Sequence, residues 1–198
     1  MTSPYRIGDV NLVHEKRPLD SVGGIGACPL SGGTVNDFGN GIMHETEFTL
    51  VNQAVQLVDA EGTIAYGSAK MYDMPAGAIM VIGATSDIEV TKTAAGVIAA
   101  FDSDFGIGTA ACAGDDSLTG TEDDVIPTTA SAQAVLGETN FNAQSTAAEN
   151  VVHDGTTTPK DIYLNMLVDD ADHDVTTTPT NLVLNGTVKL FWFNLGDY

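Results

Sequence analysis

The stretch NLVLNGTVKLFWFNL, residues 181–195, is the part of the chain that indicates the fold class most clearly. In it Leu190 and Trp192 alternate with Phe191 and Phe193, and this period of two is the signature of a β-strand. Because apolar side chains occupy both faces, the stretch predicts a strand that is buried on two sides or lies in an interface.

Other parts of the chain carry the same signature. In HETEFTLV (44–51), Phe48 and Leu50 alternate with polar residues, and residues 162–168 place every second side chain, all apolar, on one face. The run AIMVIGA (78–84) is continuous and apolar, which is typical of a strand covered on both faces. Short strands separated by Gly, Asn and Asp turns predict an all-β fold, either a β-sandwich or a jelly-roll-like barrel of short antiparallel strands.

Three local patterns add detail to this prediction. The alternation in TIAYGSAKMYD (63–73) places Tyr72 on the same face as Lys70. Thr119 and Glu122 match a capping box, which predicts a short helical turn near residues 120–125. Residues 137–158 are polar and rich in Thr, Asn and Ala, and we expect them to form a loop.

The N-terminal part differs in character from the rest. Residues 1–41 contain Pro4, Pro18 and Pro29 and many glycines, and they show no sustained period. Proline and glycine at this density oppose both helix and central strand. We therefore expect an extended N-terminal arm at 1–41 that becomes ordered on another protein, or a loop that wraps its own domain, followed by a β-rich globular domain at 42–198.

The charge of the chain excludes several classes of partner. Seven basic residues against 27 acidic ones give a net charge of −20, and the first 17 residues are slightly basic, so the acidic charge lies in the body. A surface of this sign repels phosphate backbones and anionic lipids, so we expect no nucleic acid and no membrane as partner. The chain also shows neither an apolar run of roughly 20 residues nor the basic-then-apolar order of a secretory signal at its start.

An acidic run in the C-terminal third of the chain matches some positions of a calcium-binding loop. Asp170, Asp172 and Asp174 occupy the first, third and fifth positions of that pattern, but Val175 stands where glycine is needed and Asn181 where glutamate is needed. The run therefore does not predict an EF-hand. We expect a solvated acidic hairpin, with a loose calcium site on these carboxylates as the alternative.

No motif of the chain predicts catalysis. Cys28 and Cys112 have no zinc-ligand spacing, and no serine lies in a nucleophile elbow. The run from Gly106 to Gly108 imitates a dinucleotide fingerprint, but no long amphipathic helix follows it, so we expect a glycine-rich bend between strands. The sequence therefore predicts a protein that is not an enzyme and that has no cofactor.

Three segments carry a resemblance to a known class of proteins. GSAKMYDMPAGAI (67–79), DGTTTPKDIYLNMLV (154–168) and NGTVKLFWFNLGDY (185–198) are similar to small virion structural proteins of tailed bacteriophages, especially marine ones. TGTEDDVIPTTA (119–130) looks like the piece that links them. The resemblance implies a non-enzymatic particle component, and acidic proteins of this size commonly act as capsid decoration, or cement, proteins.

If the resemblance holds, we expect the protein on the capsid surface of a virion assembled in the host cytoplasm. There it would bind the major capsid protein, bridge capsomers as a homotrimer and stabilise the shell. The alternatives are a tail, neck or fibre protein, or a secreted calcium- or carbohydrate-binding β-module. The residues that we expect to bind the partner are Tyr5, Arg6, Lys16, Arg17 and Phe38, and those that we expect in the oligomer interface are Phe191, Trp192 and Phe193.

Overall fold

The computed structural model describes residues 30–39, 42–59, 64–93, 95–98, 101–114, 117–132, 138–146, 149–178 and 180–196. They form two antiparallel sheets packed against each other, so the predicted β-sandwich is confirmed, and both sheets are open rather than closed into a barrel. In chain order the strands are β1 (Gly33–Gly39), β2 (Met43–Gln56), β3 (Val58–Asp59), β4 (Ile64–Asp73), β5 (Gly77–Lys92), β6 (Asp102–Gly108), β7 (Ile126–Ala132), β8 (Glu138–Gln144), β9 (Val152–Gly155), β10 (Asp161–Asp169) and β11 (Asn181–Gly196).

The two sheets differ in strand number and in the strand at their centre. The six-stranded sheet has the order β1-β2-β11-β5, and both β8 and β9 pair with the far side of β5. The five-stranded sheet has the order β3-β4-β10-β6-β7. Among the described residues, helical structure is limited to the 3-10 turns Gly120–Glu122 and Asp170–Asp172, and no helix there has the length and apolar character needed to cross a membrane.

Strand β11 lies between β2 and β5 and pairs with both along most of its 16 residues. Its Leu190 and Trp192 side chains point into the core and are 1% and 0% exposed. Phe191 and Phe193 lie on the opposite, outer face of the sheet, where they are half-buried. The apolar residues on both faces of this stretch therefore correspond to one core face and one partly exposed face.

The core forms where the inner faces of the two sheets meet. The predicted alternation in 44–51 is confirmed, since Phe48 and Leu50 of β2 are buried there. The alternate residues of 162–168 on β10 are buried in the same core. The rings of Phe48 and Tyr72 meet edge to face with centroids 5.6 Å apart, which is a favourable aromatic geometry between the two sheets.

Two local predictions are wrong. Tyr72 does not share a face with Lys70, because the register between β4 and β10 shifts there and leaves Met71 as an extra residue. As a result Met71 and Tyr72 are both buried in the core. The region 137–158 is not one loop, because it contains β8 and β9, whose polar sequences are held in the sheet by backbone pairing with β5.

The predicted boundary at residue 41 does not separate an arm from the domain. Residues 33–39 form β1, which pairs with β2 from Gly33 opposite Leu50 to Gly39 opposite His44. Leu30 and Val35 also pack against the core. The sandwich therefore includes at least residues 30–39, and the remainder of the predicted arm, residues 1–29, lies outside the described residues.

The connection from β6 to β7 covers the outer face of the five-stranded sheet. We call its described residues, 109–114 and 117–125, the cover loop. The amide of Asn165, which is 0% exposed, holds it in place: Nδ2 donates to the carbonyls of Ala110 (2.9 Å) and Glu122 (2.7 Å), and Oδ1 accepts from the Cys112 N–H (3.1 Å). Because these bonds satisfy the buried amide, its burial stabilises the cover loop rather than penalising the fold.

Glycine allows the cover loop to approach the sheet closely. The predicted glycine-rich bend at 106–108 is wrong, since these residues lie inside β6. A Cβ at Gly108 would overlap the backbone of Thr121 and Glu122 in the 3-10 turn. The predicted turn is confirmed, and the Glu122 carboxylate accepts the Thr119 N–H at 3.1 Å, as a capping box requires.

We expect Gly108→Ala to lower the free energy of unfolding by about 1–3 kcal/mol, because the added methyl group overlaps backbone that has little room to move. The matched control is Gly83→Ala on β5, where the nearest atoms to an added Cβ lie 3.8 and 3.9 Å away. This variant should change the stability by less than about 0.5 kcal/mol. Urea unfolding of both variants measures the difference, and equal stabilities would contradict the role assigned to Gly108.

Candidate docking surface

Four apolar side chains form a row across the outer face of the six-stranded sheet. Phe193 on β11 lies opposite Met43 on β2 and opposite Met80 on β5, and Met80 in turn lies opposite Val152 on β9. Residues that are directly opposite in neighbouring strands have Cβ atoms about 5 Å apart, so these side chains are close neighbours. We call Met43, Phe193, Met80 and Val152 the terminal row.

A second row lies next to the terminal row on the same face. Phe38 on β1 lies opposite Glu45 on β2, and Glu45 lies opposite Phe191 on β11, which faces Gly83 on β5. Gly83 carries no side chain, so one side of the Phe191 ring has no neighbouring side chain on β5. A Cβ built at Gly83 would lie 3.8 Å from Phe191 Cδ2. The two rows together place methionine, phenylalanine and valine side by side, and Glu45 separates Phe38 from Phe191.

This end of the sheet concentrates the exposed apolar residues of the protein. Seven large hydrophobic residues are exposed within the described part of the chain, and four of them lie here: Ile42 (64%), Met43 (52%), Val151 (41%) and Val152 (54%). Single exposed hydrophobic residues are ordinary, whereas a contiguous group on one face is a candidate interaction surface. The terminal row is therefore the best candidate for a functional site among the described residues.

Charged groups lie beside the apolar rows. Lys189 lies opposite Glu47 and forms ion pairs with Glu47 (3.0 Å) and Glu45 (3.5 Å). The hydrogen bond to Glu47 raises the pKa of Lys189 above its usual value, so this ammonium group stays charged. Asp154, two residues beyond Val152 on β9, is fully exposed and accepts hydrogen bonds from Thr156 that lower its pKa. The charge of Lys160 also acts on Asp154, so three carboxylates and two ammonium groups lie in or beside the rows.

Directly beneath the rows lies a buried polar cluster on the inner face of the sheet. The rings of His44 and Trp192 are stacked, with centroids 4.1 Å apart and an interplanar angle of 10°. Trp192 Nε1 donates to Thr46 Oγ1 at 2.9 Å, and His44 Nδ1 lies 2.9 Å from Asp37 Oδ2. These side chains are all nearly or fully buried, so they fix the strands whose opposite faces carry Met43, Phe191 and Phe193.

The Asp37–His44 pair has the geometry that orients an imidazole in catalytic triads, and the sequence alone did not reveal it. A triad also needs a hydroxyl or thiol nucleophile bonded to the other ring nitrogen. His44 Nε2 and Asp37 Oδ1 have no hydrogen-bond partner among the described residues. In this geometry the pair positions His44 against Trp192, and no catalytic step follows from it.

A second buried histidine joins the two sheets. His153 on β9 is 8% exposed, and its Nδ1 atom lies 3.7 Å from Asp124 Oδ2 of the cover loop. Asp124 itself accepts hydrogen bonds from the Thr109 N–H and hydroxyl, each at 2.8 Å. Burial lowers the pKa of His153 below its usual value, although the charge of Asp124 acts in the opposite direction.

The acidic run at 169–174 forms a 3-10 turn whose carboxylates bind the chain itself. Asp172 Oδ2 accepts the Asp102 N–H at 2.6 Å, and Asp174 Oδ1 accepts the Thr176 hydroxyl at 3.0 Å. The side chain of Asp170 lies outside the described part. No three metal-ligating side chains are brought together within the described ranges, and the loose calcium site, which includes Asp170, stays a prediction.

Crowded carboxylates also lie on the other side of the sandwich. Asp104 and Asp169 lie on the outer face of the five-stranded sheet, on β6 and β10. Burial raises the pKa of each, and neighbouring carboxylates add to the effect: Asp169 acts on Asp104, and Asp102 and Asp172 act on Asp169. Both outer faces therefore carry carboxylates, since Glu45, Glu47 and Asp87 lie on the face with the apolar rows, and the two faces differ in the rows themselves.

The structure distributes the site residues predicted from the sequence over three environments. Phe38, Phe191 and Phe193 lie on the outer face of the six-stranded sheet, in the terminal and second rows. Trp192 is 0% exposed and belongs to the core, so its side chain is not accessible to a second molecule in this fold. Tyr5, Arg6, Lys16 and Arg17 lie outside the described residues.

The sequence reasoning missed Met43, Met80 and Val152. A signal existed for Met43, because the alternation that places Phe48 and Leu50 in the core places Met43 on the opposite face with Glu45 and Glu47. For Met80 and Val152 the alternation identifies at most a face. Only the pairing of β5 with β9 and β11 brings these two side chains into line with Phe193.

We expect Thr46→Val to lower the free energy of unfolding by about 1–3 kcal/mol, because it leaves the buried indole N–H of Trp192 without an acceptor. Thr49→Val is the matched control on the outer face of the same strand, and it should cost less than about 0.5 kcal/mol. The chain has one tryptophan, so urea unfolding followed by fluorescence reports on this site directly. Equal costs for the two variants would contradict the role of the hydrogen bond.

We expect the stability to fall between pH 7.5 and 5.5, and His153→Gln to reduce that fall. The folded protein holds the pKa of His153 below its unfolded value of about 6.5, so the unfolded chain binds a proton first as the pH falls. The loss for one proton is at most about 1.4 kcal/mol per pH unit. Unfolding at both pH values measures it, and an unchanged pH dependence in His153→Gln would refute this assignment.

Comparison with known proteins gives no independent identification, since no family model, no curated protein and no solved structure matches the chain. The similarity of the three segments to bacteriophage structural proteins stays a prediction from those segments. The functional argument that follows therefore depends on the surface geometry and charge of the sandwich.

Proposed function

We propose that this protein is a non-enzymatic structural component of a bacteriophage particle, which binds the outer surface of the capsid as a decoration, or cement, protein. The observation that carries the proposal is the terminal row, an apolar strip on the outer face of a β-sandwich that is exposed at Met43 and Val152. The resemblance of three segments to phage virion proteins is the reason for proposing a bacteriophage particle.

The two outer faces suit a protein that sits on a shell. The apolar face would contact the capsid, because removing about 25 cal/mol per Å² of apolar surface from water drives association. The other face would point outward, and the net charge of −20 would make neighbouring particles repel each other and oppose aggregation. The net charge of −20 disfavours contact with the packaged DNA, and we propose the major capsid protein as the partner.

A homotrimer is part of this proposal. Three copies present three terminal rows at once, and a capsid presents many identical sites in a fixed lattice. Because linked sites bind with a high effective concentration, weak individual contacts become tight in combination. Bridging of neighbouring capsomers by such a trimer would resist the outward pressure of the DNA.

Copy number separates this function from the other particle roles. A decoration protein is present in hundreds of copies, whereas tail and neck proteins occur in rings of about six or twelve, so quantitative mass spectrometry of purified particles distinguishes them. A secreted calcium-binding module would instead show a melting temperature that falls when a chelator is added. Neither alternative is favoured by a specific observation on the described residues.

The decisive experiment uses capsids that lack this protein, obtained by deleting its gene in the virus that encodes it. Adding the purified full chain should restore hundreds of copies per capsid and raise the temperature at which capsids rupture. At a concentration 100 times Kd, binding stabilises each site by about 2.7 kcal/mol. Calorimetry of the capsids with and without the protein measures the effect.

A shortened protein that starts at residue 30 keeps β1 and serves to test the predicted arm residues Tyr5, Arg6, Lys16 and Arg17. If the arm contributes to docking, this protein binds the capsids more weakly than the full chain does. If the full chain neither binds the capsids nor changes their rupture temperature, the proposed function is wrong.

A further inference from the structure

The apolar rows are too small to form a stable interface alone. Each row spans four strands and the two rows lie side by side, which corresponds to roughly 19 by 13 Å, or about 250 Å², from the ordinary spacings of a sheet. A standard interface buries about 800 Å² on each partner. A dimer held by two copies of this surface would therefore be weak, whereas a partner that repeats the site many times gains from multivalency.

The charge around the rows also disfavours a second copy of this chain. Glu45, Glu47 and Asp154 lie in or beside the rows, and the ammonium groups near them are those of Lys189 and Lys160. Two copies in contact through the rows would bring these carboxylates together, in molecules that each carry a net charge of −20. Like charges across an interface are unfavourable, so complementarity requires basic groups on the partner.

We infer that the terminal row is the contact with a heterologous, repeating protein surface, made of an apolar strip with basic residues at its border, and not the interface between copies of this chain. The inference depends on the proposed function, in which that surface is the outer face of the capsid. It assigns Met43 and Val152, at the two ends of the terminal row, to the apolar part of the contact and Asp154 to its charged border.

Two substitutions in the terminal row test the apolar part of the contact, and each has a control residue of nearly equal exposure outside the rows. Met43→Asp (52% exposed) is compared with Val51→Asp (53%) on the same strand, and Val152→Asp (54%) with Val58→Asp (51%) on β3. Met43 and Val51 are eight residues apart, which is about 26 Å along the strand. All four positions are at the surface, so the variants should fold with wild-type melting temperatures.

We expect Met43→Asp and Val152→Asp each to weaken binding to capsids that lack the protein by at least tenfold, because each places a carboxylate in an apolar contact. The two controls should bind within about twofold of the wild type, as surface substitutions away from the contact do. Sedimentation of capsids with labelled protein measures the affinity, and light scattering of the unbound protein measures its mass.

The charged border is tested by Asp154→Asn, with Asp87→Asn on the exposed outer face of β5 as its control. At low salt Asp154→Asn should bind several-fold more weakly than the wild type, and the difference should vanish at about 1 M salt, where the screening length is about 3 Å. Asp87→Asn should bind within about twofold of the wild type at both salt concentrations.

The outcomes separate this inference from the proposed function. If the wild type binds capsids and the row variants bind equally well, the inference is overturned and the proposed function stands. If the row variants lose mass in solution relative to the wild type, the row joins copies of this chain and the inference is overturned. If the wild type does not bind capsids, both are wrong.

Discussion

The pairing of β11 with β2 on one side and β5 on the other is the constraint on which the rest of the sandwich depends. These three strands are the longest of the fold, and their shared register aligns the core residues on one face and the apolar rows on the other. Because side chains alternate with a period of two, a slip of one residue would exchange the two faces. The full burial of Trp192, stacked on His44 and bonded to Thr46, opposes such a slip.

Buried polar groups determine the detailed geometry around this framework. Asn165 holds the cover loop through backbone hydrogen bonds, and Asp37 and His44 meet beneath the second row. A buried polar group is costly without a partner, so each pairing admits few alternative arrangements. Such pairings explain how a chain rich in small residues forms a defined structure at these positions. The same order beneath the sheet gives the docking surface a fixed shape.

Strand character could be predicted where one face is apolar, as in residues 44–51 and 162–168, because burial imposes a period of two on the sequence. It could not be predicted for β8 and β9, since edge strands are held by backbone hydrogen bonds that leave little trace in side-chain type. The bulge at Met71, which places Tyr72 in the core, could not be predicted either, because it depends on the register between β4 and β10. Residues 33–39 were predicted to belong to an arm because Gly33 and Gly39 disfavour a strand. In the structure these residues form β1, which pairing with β2 stabilises.

By itself the sequence determined the fold class, the strongly acidic charge and the two-faced apolar character of residues 188–193. These properties are local or additive, so they can be read from residue types and their spacing. Only the tertiary structure decided that Met43, Phe193, Met80 and Val152 form one row, and that Trp192 lies in the core while its neighbours Phe191 and Phe193 lie outside. The reason is that strand order and register arise from contacts between residues far apart in the chain, and no single segment specifies them.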